Sequence, residues 1–527
     1  MKKALALSLA LLLVFGLIGC SGEPAVTNPE PEPAQAQAEA TPAPAAEQGK
    51  KDFASTIAWD AEYDVVVAGY GAAGATAAIT AADEGAKVLL TEKAPEGQEG
   101  GNSKYSGQGV MGTDDADALF KYIQGMRGHF THTLPDEMIR AFADGAYENR
   151  QWLIDLGADA NNLDNAFGSG KPWVWNEYPE LEGADHCICY LVSGKNFDGS
   201  FYYLLQDNVD KRSDNIEIWY DSPAVHLIQD PDTKTILGVQ INKNGTMVNV
   251  RARNGVVLAT GGFEANMEMM ANYLQQPYAY VYAAPYNTGD GIIMAQEVGA
   301  KLWHMSNSAG YLWGFLPPDA ERCLTVTPSL GILVGPNASR FMNETTSNRH
   351  GRINIGGRWI SMPVPLPTWY IMDDAQVSAN KIILSFSDGN KDEIEKGWII
   401  KADTIEELAA ACGLDPAALK ATIDAWNASC AKGEDALYGR PADRMFPLST
   451  PPYYAMKLGP TMYNTQGGPQ RNERAEVLDL AGNPIPHLYS AGELGAMWPD
   501  MYNGGGNLAE ASVFGRIAGR NAAAPKN

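Results

Sequence analysis

Apolar residues along this chain come in short unbroken runs that end in glycine clusters. In "EYDVVVAGYGAAGATAAITAADEGAKVLLTEKA" the run Val65, Val66 and Val67 has no polar alternation, which predicts a strand buried on both faces. Ala72, Ala73, Ala77 and Ala78 then predict a helix of small residues able to pack closely, and "AKVLLTEK" a second buried strand ending near Glu92. Apolar runs of the same kind recur in "NGVVLATGGFEAN" and "HLYSAGELGA", and the second leads into a glycine turn and an apolar helix, "MYNGGGNLAEASVFGRIAG". Between them "LGILVGPNASRFMNE" reads as a strand and a turn. "DTIEELAAACGLDPAALKATIDAWNASCAKG" reads as two helices, with Asp403 and Asp415 as N-caps, Pro416 in the first turn, and Leu419, Ile423 and Trp426 on the core side. Strands alternating with helices predict an α/β fold.

The N-terminal pattern is different. Lys2 and Lys3 precede "ALALSLALLLVFGLI", an apolar stretch too short to span a bilayer with flanks. It closes in Leu17, Ile18, Gly19 and Cys20, which match the bacterial lipobox. Residues 1–20 are therefore expected to be a lipoprotein signal peptide cut before Cys20, whose thiol receives the lipid; with no twin-arginine pair, the general secretion route is expected. Residues 21–58, rich in Pro, Ala, Glu and Gln, bury too little apolar surface to offset their ordering entropy and are expected to form a flexible tether. The expected location is extracytoplasmic, on a membrane lipid anchor.

The remaining chain is long enough for two domains. A formal charge of −24 argues against nucleic acid as a partner. Of six cysteines, Cys187, Cys189, Cys323, Cys412 and Cys430 remain after Cys20, an odd number without C-x-x-C spacing, so neither a disulfide framework nor a metal site is expected. Cys187 and Cys189 are read as buried thiols, with a redox cluster as the alternative.

Gly69, Gly71 and Gly74 stand in the order G-x-G-x-x-G between the first strand and helix, and Glu92 ends the next strand. In such a βαβ unit the first glycine makes the turn, the second admits the pyrophosphate, the third lets helix meet strand, and the acid takes the ribose hydroxyls. The dinucleotide could be NAD or FAD on these residues alone. Three further segments decide it: "EGGNSKYSGQGVMG" (99–112), "NGVVLATGGFEAN" (254–266) and the C-terminal pair beginning at His487. In this order the four segments resemble the flavoprotein family of soluble fumarate reductases, urocanate reductase and 3-ketosteroid dehydrogenases, over roughly residues 60–525.

The resemblance implies a Rossmann-like FAD-binding domain (59–299 and 451–527) interrupted by an α+β capping domain (300–450) that carries substrate residues. It implies that Gly69, Gly71, Ala73, Gly74 and Glu92 hold the ADP half of FAD, with Thr260 and Gly261 near the adenosine. Asn102, Ser103, Gly107 and Gln108 would line the pyrophosphate and flavin, Asp290 the flavin side, and Glu493 the ribityl chain. Gly506, Asn507 and Leu508 would point a helix N-terminus at the flavin N1/O2 edge, where reduced flavin is anionic. Ser103 stands where covalent members carry histidine, so non-covalent FAD is expected.

Within "RFMNETTSNRHGR", Arg349 is the expected proton donor by analogy with fumarate reductases, with Arg352 as second candidate. The cations with which those enzymes grip a dicarboxylate are replaced here by Tyr463, Asn464 and Asn503, so fumarate is a poor fit. Aromatic residues stand in their place: Trp303, Tyr311, Trp313, Trp369, Tyr370, Trp498 and Tyr502, each of which could also be core. Tyr502 lies four residues before Gly506, the spacing with which 3-ketosteroid dehydrogenases polarise a carbonyl. His304 and Asn464 are expected to face substrate, with a core histidine as the alternative for His304.

The expected activity is reduction of an activated C=C bond on a bulky substrate that is not a dicarboxylate, such as an enone, lactone or aryl acrylate. A membrane cytochrome or quinol-linked partner would supply electrons. The rivals are a ketosteroid-type dehydrogenase and a non-catalytic flavin electron carrier.

Overall fold

The computed structural model describes residues 53–525 except 277–279, 283, 311–312, 321 and 362–363; Cys20, the signal peptide, residues 21–52 of the expected tether and Tyr311 lie outside the described residues. Residues 53–58, assigned to the tether, belong to the fold. Phe53–Thr56 form a helical turn with Ala54 buried, and the Trp59 indole donates to the Ala54 carbonyl at 3.0 Å. That indole also covers Gly238, where an added Cβ would lie 2.9 Å from it, so a single aromatic anchor orders the turn.

The core is a parallel row built as the apolar runs require. β1 (Ala61–Ala68) leads through α1 (Ala72–Asp83) to β2 (Val88–Thr91). β3 (Ile216–Trp219), β4 (Thr246–Leu258) and β5 (Pro484–Ser490) complete the order β5–β4–β1–β2–β3. Val65 pairs with Val88 and Gly255, Val67 with Leu90 and Val257, and Leu488 with Val256. Val65 and Val67 enter the core shared with α1, while Val66 enters the opposite core with Leu89, Val256 and Phe263. Burial on both faces is why the strands read as continuous apolar runs.

α2 (Gly506–Ala523) lies against α1. A Cβ at Gly519 would stand 2.4 Å from the Ala77 carbonyl, and one at Gly515 3.0 Å from that of Ala73, so small residues on both helices set their separation. The carboxyl ends of β1, β2, β4 and β5 all lie on one edge of the sheet, where open α/β sheets bind ligands.

A second sheet is antiparallel, in the order Ile332–Val334, Thr368–Asp373, Tyr453–Leu458, Ile400–Ala402. It extends past residue 450, because Tyr453–Leu458 pairs with both Thr368–Asp373 and Ile400–Ala402. Helices Ile405–Cys412 and Pro416–Lys432 cover it with Leu419, Ile423 and Trp426 buried, as the periodicity predicts. Asp415 caps the second helix through Ala418 N–H. The first is capped by Thr404 and not by Asp403: the Thr404 hydroxyl and Glu407 carboxylate form a reciprocal capping box, for which Asp403 lies one residue too early.

Arg340 and Glu344 of "RFMNE" are buried beneath these helices. Arg340 makes two 2.8 Å bonds to Glu344 and one of 2.9 Å to Asp435, and Arg440 reaches Glu344 at 3.2 Å. This segment organises the second sheet.

Candidate active site

At the carboxyl edge of the sheet the strand ends enclose one connected cavity. β1 delivers Gly69 and Gly71, β2 delivers Glu92, β4 delivers Thr260 and Gly261, β5 delivers Gly492 and Glu493, and the N-terminus of α2 closes it with Asn507 and Leu508. Ala73, Asn102, Ser103, Gly107, Gln108, Asp290, Asn464 and Tyr502 also line it. Gly74 does not. It lies under the turn, where a Cβ would be 1.8 Å from the Gly69 carbonyl oxygen, as the helix-to-strand role of the third glycine demands.

The Glu92 carboxylate accepts from Tyr70 N–H and Ala94 N–H at 2.8 Å each, which fixes it across the mouth of the glycine turn. Lys93 follows and pairs with Asp290 at 2.7 Å. Asp290 is therefore at the Glu92 end of the cavity, not the expected flavin side, because the cation beside Glu92 holds it there.

Deeper in, Asn102 Nδ2 donates to Glu264 Oε1 at 2.6 Å and to Glu493 Oε2 at 2.8 Å. Thr465 N–H donates to Glu493 Oε1 at 3.1 Å, and Asn287 Nδ2 to Glu264 Oε1 at 2.6 Å. Burial, then the Glu264 charge, raises Glu493 well above the usual carboxylate range; burial raises Glu264 as well. Burial beside a second carboxylate thus favours the neutral form of Glu493. The sequence offers no signal for Glu264: it sits in "GGFEAN" two residues beyond a glycine pair, and only the fold sets it against Glu493.

At the far end Tyr502 stands beside α2, with Asn507 N–H donating to its hydroxyl at 3.3 Å. Burial raises its pKa, so it stays a phenol. The expected pairing of Tyr502 with Gly506 is replaced by this one. Gly506 N–H donates to the Asn503 carbonyl and Gly506 does not line the cavity, because Trp498 packs against its Cα. Trp498 itself is core, edge-on to Tyr502 at 5.6 Å.

Two further expectations are overturned. Arg349 does not line the cavity: it pairs with Glu180 at 2.9 Å and lies over the Trp359 ring at 3.9 Å and the Tyr178 ring at 4.7 Å. Arg352 is buried elsewhere, donating to the Ser308 carbonyl and Asn307. His304 is a core histidine. Its Nδ1 bonds the Ala496 carbonyl at 2.7 Å, its ring stacks on Trp303, and burial lowers its pKa to about 4. Asn503, at the position of a family arginine, is structural: it bonds Tyr122, Glu177 N–H and the Trp175 carbonyl. Cys187 and Cys189 are buried thiols raised by desolvation.

The neighbour of Arg349 takes the place meant for it. Asn348–Arg349 pairs with Arg352–Ile355 across His350 and Gly351, whose φ values of 48° and 86° make a two-residue primed hairpin turn. Asn348 and His350 reach the cavity, and Arg349 faces away. His350 Nδ1 meets Glu177 Oε2 at 2.8 Å, and Gly504 N–H donates to the same oxygen at 3.0 Å. The His350 ring is edge-on to Tyr502 at 4.8 Å. The alternation Asn348–Arg349–His350 is the only signal in the sequence for this, and Glu177 in "WNEYPE" has none.

The cavity suits FAD. Thr260 Oγ1 and Asn507 Oδ1, of two residues lining it, are buried without partners among the described residues. Neither α1 nor α2 has an N-cap side chain over its first turn, and Gly71 leaves space where a Cβ would stand. A family model described as an FAD binding domain matches residues 64–508. The chain belongs to this FAD-binding flavoprotein family, with the fumarate reductases, urocanate reductase and 3-ketosteroid dehydrogenases. FAD is its cofactor.

The chain is 29% identical over 497 residues to the NADH:fumarate oxidoreductase of Klebsiella pneumoniae, covering 91% of this chain and 49% of that protein. It thus spans about half the length of that relative. It is 27% identical to the digoxin reductase of Eggerthella lenta, covering 88% of each. Its fold matches the solved structure of 3-ketosteroid delta1-dehydrogenase from Sterolibacterium denitrificans with a TM-score of 0.70 and 23% identity, over 88% of this chain and 100% of that one.

Proposed function

We propose that this flavoprotein is a reductase of activated C=C bonds whose substrate is bulky and carries a carbonyl or lactone, not two carboxylates. The observation that carries the reading is the lining of the far end of the cavity: Trp175, Glu177, Tyr282, His350, Tyr463 and Tyr502. Among the described lining residues Lys93 is the single lysine or arginine, and it lies at the Glu92 end. A dicarboxylate there would meet Glu177 and no guanidinium, whereas a flat, weakly polar ring system meets aromatic faces.

FAD, when bound and reduced, supplies the hydride. The protein's residues do the rest. The Tyr502 phenol donates to the substrate carbonyl while its oxygen is held by Asn507 N–H, so the charge that develops there is met by a fixed donor. The aromatic walls exclude water. The similarity to a digoxin reductase supports a large neutral substrate. The Tyr502 arrangement would serve the reverse reaction equally, which keeps ketone dehydrogenation as the second reading. Non-covalent FAD, export, a lipid on Cys20 and a membrane cytochrome or quinol-linked electron donor complete the proposal.

The test is anaerobic: reduce the holoprotein and follow flavin absorbance against fumarate, urocanate, cinnamates, lactones and steroid enones. Rapid reoxidation by enones or lactones, with fumarate inert, is the expected result. Fumarate as the fastest acceptor would overturn it. Bleaching of oxidised flavin by saturated ketones alone would transfer the assignment to the dehydrogenase, and inertness in both directions to an electron carrier.

A further inference from the structure

We propose that His350, held by Glu177, is the acid that protonates the substrate carbon, an assignment that rests on the double-bond reduction proposed above. Reduction of a C=C bond needs a proton as well as a hydride, and the arginine expected to give it is turned out of the cavity, paired with Glu180. The ionisable residues at the far end are Glu177, His350 and the tyrosines Tyr282, Tyr463 and Tyr502. Tyr502 is committed to the carbonyl oxygen. Glu177 already accepts two hydrogen bonds on one oxygen, from His350 and from Gly504 N–H.

His350 has the geometry of a donor. Its Nδ1 is fixed on Glu177 at 2.8 Å, and among the described residues no protein group bonds Nε2. A carboxylate facing Nδ1 holds the proton on that nitrogen, so Nε2 is the nitrogen through which the ring exchanges a proton with substrate. The ring stands edge-on to Tyr502 with centroids 4.8 Å apart. A substrate whose carbonyl oxygen rests on the Tyr502 hydroxyl has its α-carbon two bonds away, and the His350 ring is a direct neighbour of Tyr502. The glycine that follows, Gly351, has φ of 86°, so the turn that presents His350 is set by the backbone.

Bound and reduced, FAD would supply the hydride, with its electron pair, that the β-carbon takes. The C=C π pair moves to the α-carbon and carbonyl, where Tyr502 donates to the oxygen. Nε2–H of the imidazolium then delivers a proton to the α-carbon, completing the saturated product and leaving neutral His350 with Nδ1–H on Glu177. Water returns the Nε2 proton.

The decisive variant is His350→Gln in the holoenzyme. It is expected to bind FAD and to be reduced by dithionite like the wild type. Reoxidation by the acceptor that serves the wild type should slow about 10²–10⁴-fold. In D2O the wild type should place deuterium on one face of the α-carbon, and His350→Gln on both. Unchanged facial selectivity with a rate near wild type overturns the assignment. Glu177→Gln keeps an acceptor for Gly504 N–H but loses the charge, and should slow protonation less than His350→Gln. A measurement that needs no acceptor is the nitrogen-15 spectrum of labelled histidine in oxidised holoenzyme, assigned by its loss in His350→Gln. Nδ1 should carry a proton and shift in Glu177→Gln; a bare Nδ1 overturns the proposal. If enones fail with the wild type while another activated alkene reoxidises it, the substrate reading falls, and His350→Gln with that acceptor decides the acid.

Discussion

Replacing Gly71 by alanine separates what the glycine turn does for the protein from what it does for FAD. Gly71 has φ −82° and ψ −172°, a conformation open to any residue. The nearest atoms to an added Cβ are the Gly100 carbonyl oxygen at 3.6 Å and Ser103 Oγ at 3.7 Å, ordinary contacts. Apo Gly71→Ala is therefore expected to fold normally, and to be up to about 0.4–1 kcal/mol more stable through the stiffer unfolded chain. The new methyl points into the space that the pyrophosphate approaches. One methyl forced into a packed contact costs about 1–3 kcal/mol, and at about 1.4 kcal/mol per decade that is roughly a 5- to 150-fold weaker FAD Kd. The assay pairs urea unfolding of the stripped protein with FAD titration by flavin fluorescence. Gly74→Ala supplies the contrast, because its Cβ would lie 1.8 Å from the Gly69 carbonyl and must destabilise the apo protein itself. A Gly71→Ala protein that binds FAD as tightly as the wild type would refute the reading that the backbone is bare at Gly71 to admit the cofactor.

Arg349→Gln should retain flavin reoxidation by the wild-type acceptor, since its guanidinium serves Glu180 and Trp359 outside the cavity; stopped-flow absorbance checks it. Tyr502→Phe should keep FAD and lose about 10²–10³ in the rate of that half-reaction, the range for removing one donor to a developing oxyanion. Glu344→Ala strands two buried guanidinium groups, Arg340 and Arg440, and should cost about 3–5 kcal/mol in denaturant unfolding without displacing any cavity residue. Glu264 and Glu493 both hold their protons to higher pH in the fold than in the unfolded chain, so their contribution to stability is complete below the ordinary carboxylate range and is lost as pH rises through their folded values. The stabilisation that this pair contributes should therefore fall from acid towards neutral and alkaline pH, read as the difference in denaturation midpoint between the wild type and Glu493→Gln across pH.

Local rules were enough for much of this protein. Unbroken apolar runs at Val65–Val67 and Val88–Leu90 specify doubly buried parallel strands, and Gly69, Gly71, Gly74 and Glu92 specify a dinucleotide turn, because each depends on neighbours close in sequence. The helix over Pro416–Lys432 follows from period and cap in the same way. The active-site assignments behaved differently. Arg349 and His350 are adjacent, and which of them faces the cavity depends on a two-residue turn and on Glu177, which approaches from a segment far away in the chain. His304 was lost to the Ala496 carbonyl and Gly506 to Asn503 and Trp498, while Asp290 stays at the cavity but is held at the Glu92 end by Lys93, all partners that only folding supplies. Glu264 and Glu493 are brought together, and both raised, because β4 and β5 run side by side. Sequence determines elements through spacing along the chain, whereas side-chain direction, desolvation and charge pairing are properties of distances across it, and those decide the chemistry.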